Sequence, residues 1–273
     1  MPFPIPFVEV VSAVWTKRLV RPRPSSRKGD NGVLLVIGGS EKYHGAPLYA
    51  IEAASSFADL IFFHSPAKEH RALLFGMRKK SREFIWTDAA DLDATAKRAD
   101  CILMGNGMGV SPRTKTIVNG MLRRHKNKKF VLDADALKVA DKRLFAGRVM
   151  VTPHAGEFSA LFGKPASAEE AKKQAAKWKC VVLLKGKADL GADIISDGKR
   201  IAKNTAGNAG MTKGGTGDVL AGLAAALACK NSLFLSACAA AYLNGAAGDR
   251  LFKRFGFRYN ASDLAKEVAC RGR

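Results

Sequence analysis

The residues best placed to do chemistry lie in one stretch, NTAGNAGMTKGGTGDVLAGLAAALACK, which spans residues 204–230. Five glycines precede Asp218 in it, and the part from Asp218 to Cys229 is almost entirely Ala, Leu and Val. Glycines let backbone N–H groups approach an anion closely, and the N-terminus of a following helix adds unpaired N–H donors and partial positive charge. We therefore expect a phosphate to bind at an anion hole made by Gly214, Gly215, Thr216 and Gly217.

Asp218 follows directly on this anion site, in the first turn of the predicted helix. A carboxylate repels a phosphate, so its position suggests a general base that takes the proton from a hydroxyl attacking phosphorus. A helix cap explains the same residue equally well. The common phosphate-loop pattern G-x-x-x-x-G-K-[ST] is absent, because Asp218 stands where that pattern has Lys.

Composition narrows the class of protein. The chain has 273 residues, of which 47% are hydrophobic, and a net charge of +21. This charge favours polyanionic partners, but the basic residues are scattered and no nucleic-acid recognition module is present, so nucleic acid is disfavoured. No apolar run is long enough to cross a membrane. The five widely spaced cysteines indicate buried thiols and a cytoplasmic location.

The elements that must position the glycine-rich stretch alternate between strands and helices. Short apolar runs at 33–37, 60–64, 84–87, 101–104, 130–132, 148–151 and 181–184 are typical of buried strands. The pattern predicts one α/β domain with a mostly parallel sheet over residues 28–273. Residues 1–27 are predicted to form an N-terminal helix around 8–18 and an exposed connector.

Polar or glycine-rich turns follow the predicted strands. They lie at 38–40, 105–109, 133–135, 152–157 and 185–189. In an open α/β sheet the carboxyl ends of the strands line the ligand crevice. We therefore expect these turns to converge on one site together with residues 204–218.

Taken in order, the motifs resemble those of the NAD(P)H-hydrate dehydratases, a branch of the ribokinase-like superfamily. The matching segments are KGDNG, VIGGS, YHGAP, MGNGMG, LDADAL, TPHAGEF, LLKG and GNAGMTKGGTGDVLAG. The resemblance covers nearly the whole chain from Lys28 onward. It implies a ribokinase-like three-layer α/β/α fold and a stand-alone dehydratase domain. It also implies a hydro-lyase that repairs the 6S hydrate of NADH or NADPH, with ADP or ATP as phosphate donor.

The resemblance further implies roles for individual residues. Asp218 would be the base on the substrate hydroxyl. The residues implied to border the hydrated dinucleotide are Ala46, Gly107, Gly109, His154, Asn208 and Asp218. Those implied to face the donor nucleotide are Lys185, Gly186, Lys187, Ala188, Asp189 and Gly217. Lys213 would add a positive charge next to the anion site.

Several of these residues have a structural interpretation as well. His154 could cap a helix, Ala46 and the glycine turns could serve close backbone packing, and Asp133 and Asp135 could bond strand-end N–H groups. Phosphoryl transfer normally needs a hard cation, so Mg²⁺ is expected, with Glu157 as a candidate contact through water. Glu157 could equally be a first-turn acid placed by the helix dipole.

Two other functions stay open on the sequence. One is a small-molecule kinase of the same superfamily that acts on a vitamin precursor. The other is an inactive nucleotide- or nucleic-acid-binding protein that has kept the fold. The expected partners are the NAD(P)H hydrate and ADP or ATP, without a membrane, and a homotetramer is the assembly that the resemblance suggests.

Overall fold

The computed structural model describes residues 8–67, 71–72, 83–186 and 190–270. Within these ranges ten strands form one sheet in the order β1-β10-β9-β8-β7-β6-β5-β2-β3-β4. They are β1 (Val8–Val10), β2 (Val33–Ile37), β3 (Leu60–His64), β4 (Ile85–Trp86), β5 (Cys101–Met104), β6 (Lys129–Leu132), β7 (Val149–Val151), β8 (Val181–Leu184), β9 (Asp193–Ser196) and β10 (Ile201–Asn204). Strand β9 runs antiparallel to both its neighbours, and the other adjacent pairs are parallel.

Helices cover both faces of this sheet. They are α1 (Ala13–Lys17), α2 (Ala46–Ala54), α3 (Leu92–Arg98), α4 (Pro112–Arg124), α5 (Asp135–Val139), α6 (Ala155–Phe162), α7 (Ala168–Trp178), α8 (Thr216–Lys230), α9 (Leu233–Phe255) and α10 (Ala261–Glu267). Two short 3₁₀ turns lie at Lys142–Leu144 and Ala209–Thr212.

The alternation of side chains along each strand divides the core into two layers. In β2, Leu34 and Val36 pack with α1, α2, α8, α9 and α10, whereas Leu35 and Ile37 pack with α3 to α7. All four side chains are fully buried, as expected for a strand covered by helices on both faces. This arrangement is the predicted three-layer α/β/α architecture.

Helix α8 lies at the centre of one layer, which explains why its sequence is apolar all round. It packs against α2 so closely that a Cβ on Gly222 would lie 2.1 Å from the carbonyl oxygen of Ala50. The small residues of α2 allow such an approach, and Ala50, Ala53 and Ala54 are fully buried. The close contact fixes the N-terminus of α8 relative to the sheet.

The predicted N-terminal helix over residues 8–18 is wrong in its first half. Val8–Val10 is an edge strand that pairs in parallel with β10, and the helix covers only Ala13–Lys17. The V-E-V alternation suits a strand, and the open edge of β10 supplies the backbone partners that a short helix would lack. The division of the chain at residue 28 stays a prediction.

Of the helices in the described ranges, none is at once long enough and apolar enough to span a lipid bilayer. The five cysteines are free thiols. Cys101, Cys180, Cys229 and Cys238 are buried as predicted, whereas Cys270 is exposed.

Candidate active site

The glycine-rich loop ends at the N-terminus of α8, as the sequence predicts. Gly215 is the N-cap residue with φ of +93°, a conformation that favours glycine. The amides of Gly217 and Asp218 in the first turn have no acceptor among the described residues. These unpaired donors, together with the helix dipole, form a site for an anion.

Thr216 does not fit its predicted place in the anion hole. Its hydroxyl lies 2.6 Å from the carbonyl oxygen of Met211 and 2.8 Å from that of Lys213, and its amide also donates to Lys213. These bonds hold the loop in its tight turn. The unpaired donors beside the cavity therefore come from the glycines and from Asp218.

The Asp218 carboxylate lies at the carboxyl ends of β5 and β6, where a buried asparagine connects it to a second carboxylate. Nδ2 of Asn106 donates to Oδ1 of Asp218 at 2.6 Å and to Oδ2 of Asp133 at 3.2 Å. The other oxygen of Asp133 accepts from the hydroxyl of Thr152 at 2.8 Å. The strand-end backbone N–H groups considered for Asp133 are not its partners: its carboxylate bonds side chains instead, in a network that reaches Asp218.

Lys185, which follows β8, is the cation of this network. Its Nζ lies 3.0 Å from Oδ1 of Asp133 and 3.8 Å from Oε2 of Glu157. A Cβ on Gly217 would lie 3.3 Å from the same Nζ. The ammonium group therefore lies between the carboxylates and the helix N-terminus, where it can also face a phosphate.

The electrostatics of the cluster favour a base that is poised near neutrality. Burial, and then the charge of Asp133, raise the pKa of Asp218 to about 7, although the Asn106 hydrogen bond and Lys185 oppose the shift. For Lys185, burial works to lower the pKa, but the charges of Asp133 and Glu157 outweigh it and raise the value. Asp218 can thus exchange a proton near pH 7 while Lys185 stays charged.

His154 is the N-cap residue of α6, which is the structural interpretation that the sequence left open. Its Nδ1 accepts from the amides of Gly156 and Glu157, and its own amide donates to Glu157 Oε2 at 2.9 Å. Because Nδ1 is an acceptor, the neutral ring carries its proton on Nε2. The ring is 60% exposed and lines the cavity described next, so capping and ligand contact are compatible.

A cavity of about 490 Å³ opens beside this cluster. Its wall includes the predicted residues His154, Glu157, Lys185, Gly186, Asn208, Gly214, Gly215, Thr216, Gly217 and Asp218. The turns after β6, β7 and β8 therefore converge with residues 206–218, as predicted. The predicted nucleotide contacts Lys187, Ala188 and Asp189 lie outside the described residues.

The remaining predicted substrate contacts lie away from this cavity wall. A Cβ on Gly107, which has φ of +68°, would lie 2.5 Å from the carbonyl oxygen of Tyr43 and 3.1 Å from Cβ of Ala46. Close backbone packing thus accounts for Gly107 and Ala46. Gly109 has open space around it, and its amide donates to Oδ2 of Asp135 at 2.8 Å.

Two side chains of the loop that line the cavity are also bonded within the protein. The Lys213 ammonium donates to the carbonyl oxygens of Phe257 and Tyr259, so it fixes the loop to the segment before α10. Asn208 is also engaged within the protein: its side chain bonds Asp249, Tyr259 and the amide of Gly210.

Two functional candidates were missed at the sequence level. Asn106 was treated only as part of a glycine turn, although a carboxamide between two glycines after a buried strand is a signal for a site residue. Asn244 of α9 carried no such signal. It lines the cavity, is 5% exposed, and its Oδ1 has no partner among the described residues.

A larger cavity of about 1170 Å³ lies at the opposite, amino ends of the strands, beside Val33 and Asp100. The end of α1 and the connector that follows it, within residues 16–31, cover much of its wall, and none of the predicted site residues borders it. Size alone therefore does not identify the candidate site. The 490 Å³ cavity is preferred because the polar groups with chemical potential converge there.

Comparison with known proteins agrees with this geometry. The family model described as NAD(P)H-hydrate dehydratase matches residues 34–269. The chain belongs to this family. An ADP-dependent (S)-NAD(P)H-hydrate dehydratase from Cenarchaeum symbiosum is 36% identical to this chain over 264 residues, which cover 89% of each protein.

Other relatives of this chain are longer. A bifunctional NAD(P)H-hydrate repair enzyme Nnr from Archaeoglobus fulgidus is 40% identical over 252 residues, which cover 89% of the chain and 51% of the relative. The chain thus spans about half the length of the first curated relatives it matches.

Solved structures confirm the predicted fold. The ADP/ATP-dependent NAD(P)H-hydrate dehydratase from Bacillus subtilis, co-crystallised with ATP/Mg²⁺ and soaked with CoA, superposes with a TM-score of 0.79 at 25% identity, covering 96% of each chain. The chains of similar fold also include ribokinase-like proteins, which agrees with the predicted ribokinase-like α/β/α fold.

Proposed function

We propose that this dehydratase-family chain catalyses the nucleotide-dependent dehydration of the 6S hydrate of NADH or NADPH. The observation that carries the proposal is the Asp218 carboxylate, which lies beside the unpaired amide of Gly217 and has a pKa of about 7. A base and an anion site adjacent to each other are what a hydroxyl needs in order to attack phosphorus. The family and the named relatives support the identity of the substrate.

In the proposed reaction, Asp218 takes the proton from the ring hydroxyl of the substrate. At the same time the oxygen of that hydroxyl forms a bond to the terminal phosphorus of ADP or ATP. The bond from that phosphorus to the bridging oxygen breaks, and AMP or ADP leaves. Amides at the N-terminus of α8 and the ammonium of Lys185 stabilise the charge on the transferred group. The ring nitrogen lone pair then expels phosphate, and loss of a ring proton restores the dihydronicotinamide.

The donor nucleotide is proposed to occupy the 490 Å³ cavity, with Lys185, Gly186 and Gly217 near its phosphates. The unpartnered carboxamide of Asn244 on the wall is available to a polar group of the nucleoside. The relative from Cenarchaeum symbiosum is named as ADP-dependent, which favours ADP as donor. The Bacillus subtilis structure was obtained with ATP/Mg²⁺, so ATP is tested beside it.

Mg²⁺ is proposed to accompany the nucleotide and to neutralise charge on its phosphates. In the described part of the chain no group of three or more His, Cys, Asp or Glu residues could hold a metal directly. Glu157 already accepts from the amide of His154 and faces Lys185. These contacts fit a hydrated ion held by the phosphates, with Glu157 reached through water.

A cytoplasmic location and a homotetramer remain part of the proposal. The free thiols of the chain support the location, and the family resemblance suggests the assembly. Light scattering on a sizing column would measure the assembly directly, and a monomeric mass would contradict it.

The direct test is incubation of the protein with hydrated NADH or NADPH and with ADP or ATP in turn. We expect the near-ultraviolet absorbance of the reduced cofactor to return, with one free phosphate released for each cofactor restored. A stable phosphate ester of a vitamin precursor, without recovery of the cofactor, would instead show a kinase. Steeply salt-dependent binding of DNA or RNA without any turnover would show a binding protein.

A further inference from the structure

Asn106 connects the two carboxylates at the centre of the site, and it is fully buried. Its Nδ2 group carries two hydrogens, and two carboxylate oxygens lie within reach, Oδ1 of Asp218 at 2.6 Å and Oδ2 of Asp133 at 3.2 Å. The opposite amide orientation would place Oδ1 of Asn106 against both carboxylates. The donor therefore faces the acids, and each hydrogen has one acceptor.

The backbone around Asn106 prevents its side chain from moving away. Gly105 has φ of +121°, and a Cβ there would lie 1.8 Å from the carbonyl oxygen of Asp133. A Cβ on Gly38 would lie 2.7 Å from the carbonyl oxygen of Asn106, and that oxygen accepts from the amide of Gly39 at 2.8 Å. Residue 106 is thus held between the ends of β2 and β6 with its carboxamide aimed at the acids.

This arrangement leaves one oxygen of Asp218 for chemistry. Oδ1 accepts from Asn106, whereas Oδ2 accepts no hydrogen bond from any residue in the described ranges. Asp218 lines the cavity and Asn106 does not. The unoccupied oxygen is therefore the one that can meet an acceptor hydroxyl.

Asn106 itself has an unsatisfied group, which argues against a role in packing alone. Its Oδ1 is buried and has no hydrogen-bond partner among the described residues. An orphaned buried acceptor is destabilising, and an apolar side chain of similar size would avoid it. The benefit that offsets this cost lies on the Nδ2 side of the amide.

We infer that Asn106 is a positioning residue for the proposed base: it holds Oδ1 of Asp218 and leaves Oδ2 to take the proton from the substrate hydroxyl. This inference rests on the proposed function of the same site. Asn106 touches no reacting atom, so it acts only through Asp218.

The same hydrogen bond affects the proton equilibrium of Asp218. The charged groups that face Asp218 are Asp133 after β6, Glu157 of α6 and Lys185 after β8. The acids raise its pKa, and Lys185 and the amide of Asn106 lower it. Loss of a donor to the ionised form should raise the pKa further, so the base would be protonated at a higher pH.

The test uses Asn106→Leu, which keeps the branched shape of the side chain and removes both N–H donors. The matched control is Asn119→Leu, since Asn119 is also buried and fully bonded but lies in α4, where its Nδ2 donates to the carbonyls of Lys115 and Val139. Carboxyl ¹³C NMR on Asp-labelled protein, assigned with Asp218→Asn, gives the titration midpoint of Asp218. The pH profile of kcat gives its acid limb, which is the pH range over which kcat falls as the base becomes protonated.

In Asn106→Leu we expect the Asp218 midpoint and the acid limb of kcat to move up together by about one pH unit. KM for ADP should stay within about twofold, because Asn106 is not on the cavity wall. In Asn119→Leu neither the midpoint nor the limb should move. If Asn106→Leu does not fold, Asn106→Ala gives the same readouts.

The two proposals fail in different ways. An active wild-type protein whose Asp218 midpoint and kcat profile are unchanged in the folded Asn106 variant would overturn the inference alone. A shift of equal size in Asn119→Leu would also overturn it. Wild-type protein that restores no cofactor with either nucleotide would overturn the proposed function, whatever the NMR midpoint shows.

Discussion

Two clusters of partly buried charges in this chain have opposite balances. At the candidate site, three carboxylates, Asp133, Glu157 and Asp218, surround the single ammonium of Lys185. Between α9 and α10, the single carboxylate of Glu267 accepts from two guanidinium groups instead. We call the first the site cluster and the second the α9–α10 cluster.

The α9–α10 cluster satisfies its charges. Nε of Arg250 lies 2.6 Å from one oxygen of Glu267, and NH1 of Arg254 lies 3.0 Å from the other. Arg250 also donates to the backbone carbonyls of Glu267 and Cys270, at the C-terminal end of α10 and just after it. Each oxygen of the acid has its own donor, so the cluster serves the packing of two helices.

The site cluster leaves charge unsatisfied. One oxygen of Asp218 has no partner in the described ranges, and burial together with Asp133 raises its pKa to about 7. Such a surplus of acid is costly for folding and is typical of sites that must exchange a proton. We therefore expect loss of charge to have large effects on turnover and stability in the site cluster and a small effect on stability alone in the α9–α10 cluster, which the following substitutions test.

The largest effect is expected for Asp218→Asn. Loss of the base should lower kcat by a factor on the order of 100 to 10,000, because an amide cannot take the proton of the hydroxyl. Binding of ADP, measured by calorimetry, should be retained since the amides of the helix N-terminus remain. Turnover equal to the wild type would show that Asp218 only belongs to the helix end.

Removal of the cation from the site cluster should cost stability as well as activity. Lys185→Met leaves Asp133 and Glu157 without their ammonium, and removal of one partner of a buried pair destabilises by about 3–5 kcal/mol. Urea denaturation measures this loss. The double variant Lys185→Met/Asp133→Asn should recover part of the stability but not the turnover, and full recovery of turnover would contradict the role of Lys185 at the phosphate.

The residues of the candidate site also show how much can be predicted from the sequence alone. The anion loop, Asp218 and the polar strand ends could be predicted because glycine spacing, helix starts and strand ends are local patterns. The bond from Asn106 to Asp218 joins residues that are 112 positions apart, and no local pattern encodes such a pairing. The inward direction of Lys213 depends likewise on carbonyls 44 and 46 residues away.

The fold shows the same limit at its edge. Buried parallel strands could be predicted from their continuous apolar runs, whereas Val8–Val10 was assigned to a helix. A three-residue edge strand is too short for its alternation to exclude a helix, and its conformation is fixed by the partner strand Ile201–Asn204.

The raised pKa of Asp218 predicts how stability depends on pH. The folded value is about 7, whereas an unfolded Asp titrates at about 3.9. Between about pH 4 and 7 the folded protein therefore binds more protons than the unfolded chain, so this residue makes the protein less stable as the pH rises. The variant Asp218→Asn lacks this titrating group. Its free energy of unfolding relative to that of the wild type should therefore increase across this window by at most about 4 kcal/mol.

Urea denaturation at a series of pH values measures this difference. Glu41→Gln is the control, because Glu41 is an exposed carboxylate and its removal should give no such slope. A difference between Asp218→Asn and the wild type that is constant from pH 4 to 8 would contradict the raised pKa.

The smallest effect is expected in the α9–α10 cluster. In Arg254→Met, Glu267 keeps its bonds to Arg250, and the lost guanidinium is 59% exposed. Removal of an exposed partner typically costs about 0–1 kcal/mol, which thermal unfolding would show as a small shift. Turnover should be unchanged because this cluster lies outside the cavity wall. A loss as large as that of Lys185→Met would mean that the fold needs the second guanidinium as much as it needs the ammonium of the site cluster. The contrast between the two clusters would then not separate function from packing.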